Sequence, residues 1–283
     1  MNGQESSKHK KSILTLTDYD SNAVSFDRFR RPGKNTLAWL KSLLGGMRGH
    51  EPVLSVGCGT GQYEHELFPG SGRVVGLDMS EGMLSIAEGR IKNRVRGDMS
   101  ALPFGDKSFS GVFFIQSLHH MGASFSLTQD AREDSRRHVL REAVRVVKKG
   151  PVAIVQRDPS QNEAVWFWRY FPGALKKKLI IQPKVRQVAA WLKELGLSDV
   201  RFEPVKDPMI RDFYRPDAPL DPLFRRSFSD FTYLSPVEME KGCRELKEAI
   251  SSGRVEQDIA ECKKRFEEIG GNLFVISAEK KEV

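Results

Sequence analysis

Three glycines at alternate positions, Gly57, Gly59 and Gly61, follow the mostly apolar run Val53-Leu54-Ser55-Val56. An amphipathic segment over residues 62–68 comes next, so the order reads as strand, glycine turn, helix. Glycine has no β-carbon, so it takes positive φ in a tight turn and lets a ligand approach the backbone. The helix that follows turns free N–H groups and the positive end of its dipole toward that ligand. This is chemistry for cradling a nucleotide, although a glycine trio alone also describes an ordinary strand-to-helix turn. A second run, Arg73-Val74-Val75-Gly76-Leu77, ends in Asp78, about 20 residues past the first glycine. A carboxylate there can accept two hydrogen bonds from the vicinal hydroxyls of a ribose. Farther on stand two adjacent histidines, His119 and His120. Adjacent side chains diverge and no other His or Cys pair has ligand spacing, so no metal is expected. His119 can act as a general base on an acceptor, because an imidazole titrates near neutral pH, or the pair simply opens the next helix.

The elements that must position these residues follow from periodicity and capping. Ser80 is placed to cap a helix over residues 81–90. A strand at 93–96 leads to Gly97-Asp98-Met99, and one at 111–115 leads to Gln116-Ser117-Leu118 and the histidines. Polar residues 122–134 read as a loop able to close over the site, and a helix then runs to Lys149 with Val139, Leu140, Ala143, Val144 and Val147 on one face. Strands at 152–155, 199–204 and 272–278 alternate with helices at 183–195, 236–251 and 255–269, and a helix at 35–44 precedes the first strand.

The ordered segments VLSVGCGTG, VVGLDMS, GDMSALPFGDKSF and FFIQSLHHM carry a resemblance. Over residues 26–155 the chain resembles a class I S-adenosylmethionine (SAM)-dependent methyltransferase, of the type 11, ubiquinone/menaquinone-biosynthesis-like group. The resemblance implies a Rossmann-like, doubly wound α/β fold with a seven-stranded sheet. Its last strand would be antiparallel, with a helical insertion between the last two strands. It implies SAM as cofactor and S-adenosylhomocysteine (SAH) as product. Gly57, Gly59 and Gly61 would line the methionine part, with Cys58 filling the small slot between two of them. Asp78, followed by Met79, would hold the ribose. Asp98 would face the adenine amino group, Met99 would pack near the ring, and Gln116 would sit beside the methionyl moiety. Ser55 stands where the family usually has Asp or Glu helping to organise the ligand's amino-acid end, and a hydroxyl there accepts a hydrogen bond without supplying charge. Related enzymes carry a Tyr/Asp/Arg-rich lead-in like residues 19–32 as a lid. Tyr19 would then cover the sulfonium, and Arg30 or Arg31 would pair with the methionine carboxylate. The alternative for this stretch is a solvent-exposed helical arm.

The layout expected is a flexible tail (1–12), an N-terminal lid and helix (13–48), a SAM-binding core (49–205), a helical and aromatic insertion capping the acceptor site (206–270) and the last strand (271–283). With 283 residues and 39% hydrophobic content, the chain can bury a core as one domain with an appendage. Trp166, Phe167, Trp168, Tyr170 and Phe171 either pack a helix onto the sheet or line an acceptor pocket. The excess of 45 Lys+Arg over 37 Asp+Glu favours acidic partners. Its runs at Lys8, Lys10 and Lys11, at Arg28, Arg30 and Arg31, at Arg136 and Arg137, at Lys176, Lys177 and Lys178, and at Arg225 and Arg226 read mostly as solvated faces. Three cysteines without paired or ligand spacing, no apolar run of about 18 residues and no signal-peptide core together predict a cytoplasmic protein without a membrane span. Nothing in the sequence sets an oligomeric state.

The function expected is methyl transfer from SAM by direct displacement to a small-molecule acceptor. A tRNA or rRNA methyltransferase is the alternative raised by the basic balance, although the Asn-Pro-Pro-Tyr pattern of many nucleic-acid enzymes is absent. A non-catalytic SAM-binding module and an NAD-dependent oxidoreductase are the other classes weighed.

Overall fold

The computed structural model describes residues 18–45, 51–207 and 210–282, and the expected tail with its lysines lies outside them. The chain enters through α1 (Tyr19–Phe29) and α2 (Lys34–Gly45). It then alternates as β1 (Val53–Val56), α3 (Gln62–Leu67), β2 (Val74–Asp78), α4 (Glu81–Ala87), β3 (Asn93–Arg96) and β4 (Gly111–Ile115). After α5 (Gln129–Val146) and β5 (Gly150–Gln156) come α6 (Pro159–Glu163), α7 (Pro172–Ile181), α8 (Val185–Glu194) and β6 (Ser198–Val205). The insertion holds α9 (Pro222–Arg226), α10 (Pro236–Ser251) and α11 (Arg254–Ile269) before β7 (Leu273–Lys280).

The strands form one seven-stranded sheet in the order β3-β2-β1-β4-β5-β7-β6. The β1 to β5 pairs are parallel, and β7 runs antiparallel to both β5 and β6. Alternation along the strands supplies two cores. Val53 and Phe113 face the side covered by Leu40 and the aromatic cluster, whereas Leu54, Val56, Val112 and Phe114 face Val139, Leu140 and Ala143 of α5. This is the doubly wound α/β arrangement, with the helical insertion lying between β6 and β7 as expected.

Local chemistry moved some boundaries. The Thr128 hydroxyl accepts from the Ala131 N–H at 3.2 Å and starts α5 at Gln129, so residues 129–134, expected as loop, are the first turns of a helix. The helix expected over 81–90 is assigned only to Ala87. Leu118–His120 form one 3-10 turn, and a separate helix follows at 129.

The aromatic run resolves as core. Trp166, Phe167, Trp168, Tyr170 and Phe171 are all buried, and Phe167 meets Phe213, Phe224, Phe228 and Phe231 of the insertion at centroid distances of 5.4 to 6.0 Å. Edge-to-face packing of this kind glues the insertion to the sheet. Two of the basic residues read as solvated are also buried: Arg136, whose Nη2 donates to the Ile181 carbonyl at 2.5 Å, and Lys178.

The N-terminal segment is tied to both core and insertion. Asp207, beyond β6, accepts from the Asn35 and Thr36 N–H groups at 3.1 and 2.5 Å, capping α2 from 171 residues away. The Arg211 N–H donates to the Phe29 carbonyl at 2.7 Å. Asp20 accepts from the Ser80 hydroxyl and the Gly82 N–H at 2.6 and 2.8 Å. Asp27 pairs with Arg90 and accepts from Gln62 at 2.7 Å, and although burial opposes ionisation these partners hold its carboxyl down at about 2.

Candidate active site

At the carboxyl ends of β1, β2 and β4 the backbone turns away from the sheet and leaves a cleft of about 570 Å³. Gly57 and Gly59 form its floor, with φ of 72° and 55°. A β-carbon on Gly57 would sit 2.4 Å from Cβ of Ser117, so the loop tolerates no side chain there. Ser117 is fixed in turn by its hydroxyl, which donates to the Val56 carbonyl at 2.6 Å. Beside it, Gln116 follows β4 at φ 54°, a left-handed conformation that costs a non-glycine residue energy, and it lines the cleft.

Asp78 ends β2 on the same rim. Its Oδ2 accepts from the Gly59 N–H at 2.8 Å and its Oδ1 from the Ser80 N–H at 3.0 Å, so the acid fixes the glycine loop and leaves lone pairs facing the cleft. Burial pushes its carboxyl up, and the backbone donors oppose that shift. Met79 and Met99 flank Gly97 along the neighbouring wall.

Beneath the floor, outside the cleft lining, the Ser55 hydroxyl donates to Glu64 Oε1 at 2.5 Å. Both residues are 2% exposed, and burial lifts Glu64 to about 7 despite that hydrogen bond. The Ser55 hydroxyl of β1 is thus tied to the first helical turn of α3.

α1 covers the cleft from above. Phe26 lies over the glycine loop, its ring 3.6 Å from where a Gly59 β-carbon would be. The Tyr19 hydroxyl bonds His120 Nε2 at 2.9 Å, and burial raises the phenol far above its ordinary range and lowers His120 to about 3. Arg30 lines the cleft, donates to the Ser227 carbonyl at 2.8 Å and lies 5.1 and 5.0 Å from the Phe26 and Phe228 ring centroids. Arg31 instead donates to the Asp27 and Arg30 carbonyls at the end of α1. His119 is buried, with Nε2 3.3 Å from Lys178 Nζ, and burial followed by the Lys178 charge holds it well below the usual imidazole range.

Residues 54–155 match the family described as a methyltransferase domain. A demethylmenaquinone methyltransferase of Oceanobacillus iheyensis is 28% identical over 213 residues, spanning 68% of this chain and 82% of that protein. The 27-O-demethylrifamycin SV methyltransferase of Amycolatopsis mediterranei is 31% identical over 113 residues, spanning 37% of each chain. The chain therefore carries a methyltransferase domain. A solved methyltransferase from an antibiotic biosynthesis pathway of Anabaena variabilis shares the fold at TM-score 0.66 and 22% identity, over 87% of this chain and 98% of that one.

The methyltransferase gathers Tyr19, Arg30, Gly57, Gly59, Asp78, Met79, Met99, Gln116 and His119 around one cleft. Ser55, Cys58, Gly61 and Asp98 are outside its lining. Cys58 is buried and its sulfur would stand 2.9 Å from a β-carbon on Gly76, so it packs between strands. Gly61 caps α3 in the left-handed conformation, and Asp98 accepts from the Ser100 N–H and hydroxyl at 2.8 Å, shaping the turn that carries Met99. Residues 227–230 of the insertion line the cleft, and sequence reasoning missed Arg157, Asn162 and Lys178, which line it too. A lysine in a run of three and an arginine at a strand end look like surface residues until the insertion folds over them. Among the described residues no group of three or more His, Cys, Asp or Glu is placed to hold a metal ion, and no helix is long and apolar enough to cross a membrane.

Proposed function

We propose that this methyltransferase binds SAM in the cleft and transfers its methyl group to a small-molecule acceptor, releasing SAH. The observation that carries the donor site is the floor: Gly57, which leaves no room for a β-carbon, next to Asp78, which holds the Gly59 N–H. In this reading the open backbone of Gly57 and Gly59 receives the methionyl part beside Gln116, and Asp78 takes the ribose hydroxyls. The adenine lies along Met79 and Met99, with Asp98 setting the turn that carries Met99. Tyr19, Phe26 and Arg30 of the lid close over it, with Arg30 as the partner for the methionine carboxylate. Ser55 and Glu64 stiffen the floor from below.

Bound SAM supplies a methyl group already activated by its sulfonium. The chain's own contribution is then positioning and exclusion of water, for which a lid latched by Asp20 and Asp27 is suited. We assign His119 a donor role toward the acceptor. Lys178 can only donate to Nε2, so the neutral ring carries its proton on Nδ1. The enclosed position of the cleft's cations favours a small acceptor over a nucleic acid, which would need them spread over a face. Three unpaired cysteines fit a cytoplasmic location.

The test is incubation with methyl-labelled SAM and separate pools of small organic acceptors and of RNA. Label in an organic product, with stoichiometric SAH, is the expected result. Label confined to RNA, or SAH formation that no acceptor stimulates, would sink the reading.

A further inference from the structure

The deep end of the cleft is defined by its charge. Arg30 at the end of α1, Arg157 just past β5 and Lys178 of α7 converge there with one carboxylate, Asp230. Lys178 and Asp230 are both buried and pair at 3.2 Å. Neither guanidinium has a carboxylate at ion-pair distance among the described residues. Arg30 donates to a carbonyl and Arg157 lies 5.7 Å from the Phe213 ring centroid. Burial lowers Arg30 to about 10, and it lowers Arg157 and Lys178 as well, so holding these cations here is costly.

Two neutral donors point the same way. Asn162 Nδ2 and His119 Nδ1 are buried without a hydrogen-bond partner, and both residues line the cleft. Asn162 is 1% exposed and His119 4% exposed. The cleft therefore sets three cations and two unpartnered N–H donors, one of them on His119 beside Lys178, against a carboxylate that is already paired. Buried donors without acceptors are destabilising unless a ligand satisfies them.

SAM does not correct the imbalance. Its carboxylate answers one cation, for which Arg30 is placed, while its ammonium and sulfonium add two positive charges. We propose that the methyl acceptor carries an anionic group, a carboxylate or a phosphate, which Arg157 and Lys178 hold with donation from Asn162 and His119 Nδ1. This inference rests on the cleft being a methyl-transfer site. The planar Arg157 fork suits a two-oxygen anion, and Lys178 adds a point charge. Anchored there, the acid end of the acceptor fixes where its nucleophilic atom meets the methyl group.

The test uses protein saturated with SAH and titrated with benzoate, phenyl phosphate and the neutral analogue benzamide at constant ionic strength, read by thermal shift and calorimetry. One or both anions should bind and stabilise while benzamide does not, and the stronger of the two identifies the preferred anion. Arg157→Met should weaken that binding by about tenfold or more, and SAH titration of the variant reports whether its cleft is folded. Benzamide binding as well as the anions, or no anion exceeding chloride in the SAH complex of the wild type, would overturn the inference alone. Failure of SAH itself to bind would overturn the methyl-transfer reading and this inference with it.

Discussion

Glu64 is a carboxyl buried beneath the cleft floor, where it accepts from the Ser55 hydroxyl. With its carboxyl lifted to about 7 by burial, the folded protein keeps a proton that the unfolded chain, near 4.5, has released. The folded state thus binds more protons between those values, so this group's contribution favours folding below the window and is lost as pH rises through about 7. Glu64→Gln keeps an acceptor for Ser55 and removes the charge. It should raise stability relative to wild type at about pH 8 by on the order of 1–3 kcal/mol, and the gap should close near pH 5. Thermal melts at the two pH values check this, and a pH-independent difference would contradict it. At this scale the sequence was informative where chemistry is local. Gly57, Gly59 and Asp78 lie in or beside turns whose spacing is readable, Gln116 was implied by the family resemblance, and all four line the cleft. The Ser55 and Glu64 contact crosses a strand-to-helix turn, and Lys178 with Asp230 joins α7 to the insertion. Such pairings depend on tertiary packing that no spacing rule encodes.

Among elements, the N-terminal segment depends most on distant partners. α2 has its first N–H groups capped by Asp207, so Asp207→Ala should cost about 1–2 kcal/mol, read as a lower denaturation midpoint with an unchanged slope. The lid helix α1 is held to α4 through Asp20 and to Arg90 through Asp27. Asp27→Ala should leave the sheet folded, expose α1 to limited proteolysis and weaken SAH binding several-fold. A variant with wild-type SAH affinity and protease resistance would show that the latch has no bearing on the lid. The succession of strands and helices along the chain was legible because apolar runs and glycine stops repeat along the core, whereas the antiparallel last strand was implied by the family resemblance alone. The start of α5 was not, because polar residues 129–134 look like loop until the Thr128 cap is recognised. The aromatic run left two readings open, since aromatic content serves core and pocket alike. Only the facing phenylalanines of the insertion decide for core.

For the whole molecule, one cleft collects residues from α1, the strand ends, α7 and the insertion, segments far apart in sequence. A ligand bound there bridges all of them in the folded state alone. SAH at about 100 times its dissociation constant should therefore add about 2.7 kcal/mol to stability, seen as a rise in melting temperature of several degrees. The methyl-transfer reading stands or falls with Gly57, Gly59 and Asp78 forming a SAM site. Calorimetric titration of SAM and SAH into the wild type and Asp78→Ala tests it most directly. Micromolar binding by the wild type is expected, weakened about tenfold by Asp78→Ala, the loss of one charge-assisted hydrogen bond. No binding by the wild type, or equal affinity in the two proteins, would contradict it.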